Sequence, residues 1–173
     1  MQALVDDLRD LARLEAGELP IDPRPVSVSR LVRDVVAVQQ PAARAKNVTV
    51  TVKVPQHVPV EADPVRLRQV LDNLLSNAIK YTPAAGAVTI TARHVDGQAV
   101  LTVADTGIGI PAEQYPRLFD RFFRADNAVR QGIKGTGLGL AITKAIVEAH
   151  GGRISAAPGA SGGTTITVVL PAS

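Results

Sequence analysis

The sequence predicts an α+β fold, a two-layer α/β sandwich with helices on one face of a mixed, mostly antiparallel sheet. Three observations carry this expectation. NVTVTVKV, AVTITAR, QAVLTVAD, RISAA and TTITVVL read as strands bounded by Gly, Pro and Asp. The segments around residues 27–45, 63–81 and 138–150 repeat apolar side chains at the helical period. The resulting order after the first helix is helix, strand, helix, two strands, a long loop, helix and two strands.

Each element has its own local reason. Residues 4–16 place Leu4, Leu8 and Leu11 at spacings of four and three, with Val5 and Ala12 widening the stripe, and Gly17 ends the helix. So short a helix is marginal alone and needs a partner surface, either the body of this chain or a bundle seam. ELPIDPRPV, with Pro20, Pro23 and Pro25, cannot continue it and reads as a linker. A second helix starts at Ser27 with Leu31, Val35, Val38, Ala42 and Ala45 as its stripe, and Pro41 is expected to bend it. After the strand at 47–54, Asp63-Pro64 supplies an N-cap and a first-turn proline for a third helix. Its buried stripe is Leu67, Val70, Leu71, Leu74 and Ala78. Asp96-Gly97 marks a hairpin between the next two strands. Residues 107–137 are poorly periodic, with one short helix expected near 111–119. A last helix, 138–150, stops at Gly151-Gly152, and two strands close the chain.

Composition narrows the function. The 173 residues suit one domain, and 46% of them are hydrophobic, enough for a core without staples. Only 3% are aromatic and none is Trp, so the core is aliphatic and base stacking on aromatic platforms is disfavoured. The absence of cysteine excludes disulfides, thiolate zinc sites and a Cys nucleophile. No apolar run reaches membrane-spanning length, and no secretory signal is apparent. The chain therefore reads as soluble and intracellular, and its start inside a helix suggests a piece of something longer. The formal net charge of +3 does not suggest nucleic acid. Residues 1–25 carry net −3 and residues 26–173 net +6, so the body favours an anionic ligand.

Three segments offer chemistry. In LDNLLSNAIKYT, Asn73, Asn77 and either Lys80 or Tyr81 share one helix face. That face is either a solvated surface or a site, since asparagine is a poor helix former and amide oxygens suit Mg²⁺. In ADTGIGI, Asp105 stands at a strand end before Gly107 and Gly109. It is either a turn residue or a carboxylate that accepts from an exocyclic amine. In GIKGTGLGLAI, Gly135, Gly137 and Gly139 open a helix after a loop holding five basic and two acidic residues, an arrangement suited to phosphate. It is neither a Walker sequence nor a dinucleotide fingerprint.

Taken in order, LDNLLSNAIKYT, DTGIGI, LFDRFFR, GTGLGLAI and GGTTITVVL resemble the N, G1, F, G2 and G3 boxes of the sensor histidine kinase catalytic domain. That domain belongs to the superfamily that includes gyrase, Hsp90 and MutL and has the Bergerat fold. LVDDLRDLARLEAGEL resembles the end of the second helix of the dimerisation and phosphotransfer domain. The resemblance implies three parts: a dimerisation-helix remnant over 1–17, a linker over 18–26 and an ATP-binding catalytic domain over 27–173.

It also implies roles. Asn77 would bind Mg²⁺, Lys80 would contact phosphate and Tyr81 would line the pocket. Asp105 would bind the adenine amine, with Gly107, Gly109 and Ile110 shaping the pocket floor and Thr164 completing the adenine side. Gly135, Thr136, Gly137, Leu138 and Gly139 would form the hinge of the ATP lid and its phosphate amides. Arg121 and Arg124 are candidate phosphate contacts, and Phe119, Phe122 and Phe123 would anchor the lid. Asn73 stands where the gyrase-like ATPases have a glutamate that activates water. An amide cannot act as that base, so the implied reaction is phosphoryl transfer with little hydrolysis.

The acceptor histidine of the family is missing. His57, His94 and His150 are not followed by an acid, and His150 at a helix C-terminus has a simple dipole explanation. The implied partners are its own dimerisation domain, a second copy in a homodimer and a response regulator, with no nucleic acid. The implied setting is a cytoplasmic domain of a protein anchored in the bacterial inner membrane. The alternatives are an ATP-binding regulatory module without transfer and a serine kinase of the anti-sigma-factor type.

Overall fold

A computed structural model describes residues 2–18 and 20–172. Residues 1, 19 and 173 of the expected boundaries lie outside the described residues. The elements run α1 (Gln2–Glu15), β1 (Arg24–Ser27), α2 (Val28–Ala45), β2 (Thr49–Lys53), β3 (Pro59–Ala62), α3 (Pro64–Tyr81), β4 (Ala87–Val95) and β5 (Gln98–Asp105). A 3-10 turn over Ala112–Arg117 follows, then α4 (Asp126–Arg130), α5 (Gly139–Ala149), β6 (Arg153–Pro158) and β7 (Thr164–Pro171).

The main sheet has the order β2-β4-β5-β7-β6, with β2 parallel to β4 and every other pair antiparallel. Its core-facing residues alternate along β4 and β5 as Val88, Ile90 and Ala92, then Ala99, Leu101 and Val103, all buried. They pack against α2, α3 and α5, giving the two-layer sandwich and aliphatic core that the sequence predicts. Asp96 and Gly97 both take positive φ, which matches the right-handed twist of a two-residue hairpin.

A second, two-stranded sheet pairs β1 with β3, and the sequence reading does not include it. Both strands have four residues and contain proline, too short and too interrupted to show an alternation. The end of the linker expected over 18–26 is thus tied to the body by β1, Arg24–Ser27.

The stripe expected for α2 is displaced. Val28, Val32, Val35 and Ala43 are its buried apolar residues, whereas Val38 is 63% exposed and Ala42 and Ala45 face solvent. Ser27 caps this helix by accepting from the Arg30 N–H, and the helix continues through Pro41 on its exposed side. Water can serve the carbonyl that the proline leaves unpaired there. In α1, Leu11 is buried and Leu4 and Leu14 pack on the body, while Val5 and Leu8 are exposed. The helix therefore carries two apolar edges, one docked and one free. Among the described residues, no helix is long and apolar enough to cross a membrane.

Helix α3 is fixed at both ends. Asp63 accepts from the N–H groups of Val65 and Arg66 at 2.9 and 3.2 Å and from that of Asp22 at 3.2 Å. Burial pushes the Asp63 carboxyl up, but these N–H groups and the Arg66 charge bring it below the ordinary carboxylate range. The Asp63 N–H in turn donates to His150 Nε2 at 2.9 Å, and His150 Nδ1 meets the Ile146 carbonyl at 2.8 Å. His150 thus connects α5 to α3. At the other end, the Lys46 ammonium donates to the Ile79 carbonyl at 2.9 Å and to that of Lys80. The Thr82 hydroxyl donates to Ala78 and the Ile108 N–H to Tyr81. All four terminal carbonyls of α3 are satisfied.

Candidate functional site

The fixed C-terminal half of α3 delivers the polar stripe. Asn73, Asn77, Lys80 and Tyr81 are all half-buried, so this face is not a solvated surface. It borders a pocket of about 170 Å³ between α3, the end of β5 and the loop before α5.

Asp105, the last residue of β5, lines the pocket. Its Oδ1 accepts from the Gly107 N–H at 2.8 Å and the Thr164 N–H at 3.2 Å. Burial raises the carboxyl above its ordinary range, against these two bonds that favour the ionised form. The β-turn reading of Asp105 and the ligand reading therefore coexist: one oxygen organises the loop, and Oδ2 takes no partner among the described residues. The loop needs glycine where it meets the start of β7. Gly163 has φ +71, and a Cβ there would lie 2.1 Å from the Asp105 carbonyl oxygen.

Thr164, Gly109 and Ile110 line the same pocket. Gly107 does not, because its place is structural: a Cβ there would lie 2.4 Å from the Tyr81 carbonyl oxygen.

Asn77, Lys80, Tyr81 and Arg124 line the pocket beside Gly135, Thr136, Gly137 and Gly139. The Lys80 ammonium sits 5.1 Å from the Tyr81 ring centre. Burial lowers the Lys80 pKa below that of an ordinary lysine, and the Arg124 charge lowers it further. Burial raises the Tyr81 phenol, against the opposing effect of Arg124. Arg124 donates to the Ile133 carbonyl, but its buried Nε has no partner. Two cations thus share this part of the pocket, and among the described residues neither has a carboxylate within ion-pair distance. The Asn77 amide is likewise free of partners there, so its oxygen fits an oxygen-seeking cation such as Mg²⁺.

Besides Gly107, three more predicted site residues lie outside the pocket lining. The Asn73 amide donates to the Gly139 carbonyl at 3.3 Å and to Thr143 Oγ1 at 3.4 Å, so it fastens the start of α5 to α3. Leu138 is fully buried, with its N–H on Thr136 Oγ1. Arg121 forms an ion pair with Glu15 of α1.

Of the phenylalanines, Phe123 lines the pocket. Phe122 is 59% exposed with φ +61, an uncommon state for a bulky residue. It is held by its N–H on the Gly137 carbonyl at 2.9 Å. Gly137 has φ +76, and a Cβ there would fall 2.6 Å from the Phe122 backbone.

Two contributors escape the sequence reading. Asn127 of α4 donates to the Gly109 and Ile108 carbonyls at 2.8 and 3.4 Å, clasping α4 to the loop after Asp105. Asp7 of α1 reaches the pocket from a different part of the chain. Burial raises its carboxyl, and Asp10 and Asp6 add to the effect. The only signal for Asp7 in the sequence is its position one turn before the docked Leu11.

Residues 62–173 match the family described as "Histidine kinase-, DNA gyrase B-, and HSP90-like ATPase". The solved structure of the mycobacterial sensor histidine kinase MprB superposes with a TM-score of 0.75 at 30% identity, covering 87% of this chain and 98% of that one. The chain belongs to this family, as a sensor histidine kinase ATP-binding domain. Full-length ShkA in complex with AMPPNP superposes with a TM-score of 0.86 at 32% identity, over 99% of this chain and 35% of that one. The circadian input-output histidine kinase CikA of Synechococcus elongatus is 40% identical over 171 residues. The match covers 97% of this chain but 23% of CikA, so the domain corresponds to a minor part of such a relative's length.

Proposed function

We propose that this domain binds Mg-ATP and donates its γ-phosphoryl group to a histidine on a dimerisation and phosphotransfer domain. One observation carries the reading: a single pocket holds a half-buried strand-end carboxylate, Asp105, together with two cations that lack ion-pair partners among the described residues, Lys80 and Arg124. Asp105 Oδ2 accepts from the adenine amine, and Gly109, Ile110 and Thr164 surround the base. Lys80, Arg124 and the backbone around Gly135–Gly139 meet the triphosphate. Tyr81 closes the wall behind Lys80. Asn77 offers the oxygen ligand for Mg²⁺, which when bound offsets phosphate charge.

In the transfer, a lone-pair nitrogen of a neutral imidazole bonds to the γ-phosphorus. The bond from that phosphorus to the bridging oxygen breaks, ADP leaves with the electron pair, and the imidazolium loses its proton to solvent. The chain's own part is to position and to stabilise charge. Asn73 supplies no base for water, and its amide is occupied in holding α5. This arrangement favours transfer over hydrolysis.

The exposed Val5 and Leu8 edge of α1 suits a helical bundle, in keeping with residues 1–17 as the end of a dimerisation helix, 18–26 as a linker and 27–173 as the catalytic domain. Family membership then extends the reading to a homodimer, a response regulator as partner and a cytoplasmic domain of an inner-membrane protein. Mixing the protein with γ-labelled ATP and a separate acceptor-bearing dimerisation domain tests it. Label on histidine is the expected result. Label on serine would identify a serine kinase, and ATP binding without any transfer would identify a regulatory module.

A further inference from the structure

The first 25 residues are net acidic and the remainder net basic, and the fold puts that asymmetry to use at one place. Helix α1 lies on the body through Leu4, Leu11 and Leu14. Asp10 accepts from Arg66 Nη1 at 3.1 Å in a partly buried contact. Glu15 pairs with Arg121, the residue next to Phe122, whose backbone is locked to Gly137 of the lid hinge. Asp7 lines the nucleotide pocket in company with Asn77, Lys80 and Arg124. Thus one acid of α1 holds Arg121 beside the pocket, and another, Asp7, lines the pocket itself. Asp7 has no ion-pair partner within the described residues, and its nearest charges, Asp10 and Asp6, are of like sign.

We infer that α1 in this position is an acidic latch on the nucleotide pocket, so that docking of α1 and binding of the ATP triphosphate oppose one another. The inference rests on the reading of the pocket as an ATP site. A triphosphate entering beside Asp7 meets a carboxylate in a partly desolvated setting, where like charges repel more strongly than in water. Glu15 holds the helix in place through Arg121 outside the pocket, so loss of that pair loosens the helix that carries Asp7. By linkage, whatever α1 docking takes from ATP affinity, ATP takes from α1 docking.

The test is calorimetric titration of the full chain and of Asp7→Asn and Glu15→Gln with Mg-ATP, at low and high salt. Asp7→Asn keeps the side chain's size, and Glu15→Gln changes a largely solvent-facing pair, so one variant remains informative if the other folds poorly. Each is expected to bind Mg-ATP about fivefold more tightly than the unaltered chain. The gain should shrink at high salt as the charges are screened. Amide hydrogen exchange of α1 should quicken when Mg-ATP is added to the unaltered chain. Unchanged affinity in both variants would overturn the latch while leaving the ATP site standing. Weaker binding by Asp7→Asn would overturn it in favour of Asp7 as a metal ligand. No binding by the unaltered chain would overturn the ATP site and the latch together.

Discussion

Asp105 is a carboxylate held against its own preference. Burial raises its pKa above the ordinary carboxylate value, against the two N–H bonds that favour the ionised form. A raised carboxyl pKa contributes stability that is present below the unfolded value and lost as pH rises through the folded one. Above the folded pKa that contribution is gone, and the ionised group is a liability to the empty domain. Asp105→Asn keeps an oxygen for the Gly107 and Thr164 N–H groups but turns the ligand-facing atom from acceptor to donor. It should raise the melting midpoint of the empty domain at neutral pH and flatten its dependence on acid pH. It should also weaken ATP binding by about tenfold to a hundredfold, the worth of a hydrogen bond to a charged group. Thermal melts and calorimetry on the same samples check both. Lys80 makes a parallel case. Its pKa is lowered, so as pH rises it loses its charge earlier than an ordinary lysine does. ATP affinity should fall with it, and Lys80→Met, measured by the same titration, should remove that alkaline dependence. Asp105, Asn77 and Lys80 were legible in the sequence because their neighbours constrain them to particular element ends. Arg121 was legible as a cation but not in its pairing, because Glu15 lies a hundred positions away in the chain and only tertiary packing brings it near.

The element that governs the site is α3, which carries Asn77, Lys80 and Tyr81 in its last two turns. Its N-cap at Asp63 also receives the Asp22 N–H from the linker. Asp63→Ala should therefore cost about 1–2 kcal/mol of stability, the upper part of the usual range for a lost cap, measurable by urea unfolding. The lid hinge gives a sharper local prediction. Gly137→Ala must move the Phe122 backbone, so it should displace the lid and weaken ATP binding with a smaller effect on ADP, compared by titration with each nucleotide.

The elements also show where reading by pattern stops. The long, strongly periodic α3 and the hairpin were legible in nearly full detail. In α2, Val38, Ala42 and Ala45 fit the helical period, but the sheet covers the neighbouring face of the helix, and periodicity alone cannot say which of two adjacent faces is buried. Strands β1 and β3 depend on pairing with each other across thirty-odd residues and have no local signature.

At the scale of the molecule, the sheet, three helices on one face and an aliphatic core make a rigid frame around a loop-built pocket. The opening contrast of an acidic N-terminal segment and a basic body maps onto this architecture: α1 contributes Asp7, Asp10 and Glu15 to the body, and the body contributes Arg66 and Arg121. DTGIGI, GTGLGLAI and GGTTITVVL were legible because they sit at turns or a helix start where glycine or aspartate has a geometric task, and LDNLLSNAIKYT because it follows the period of α3. The approach of α1 to the pocket was not, because the path of the chain through Pro20, Pro23 and Pro25 cannot be read from composition. The central claim is that this pocket is an ATP site read by Asp105. Titration of the folded protein and of Asp105→Asn with Mg-ATP in a calorimeter tests it most directly: saturable one-to-one binding that the substitution weakens at least tenfold is the predicted result, and no heat of binding, or equal affinity in both, would contradict it.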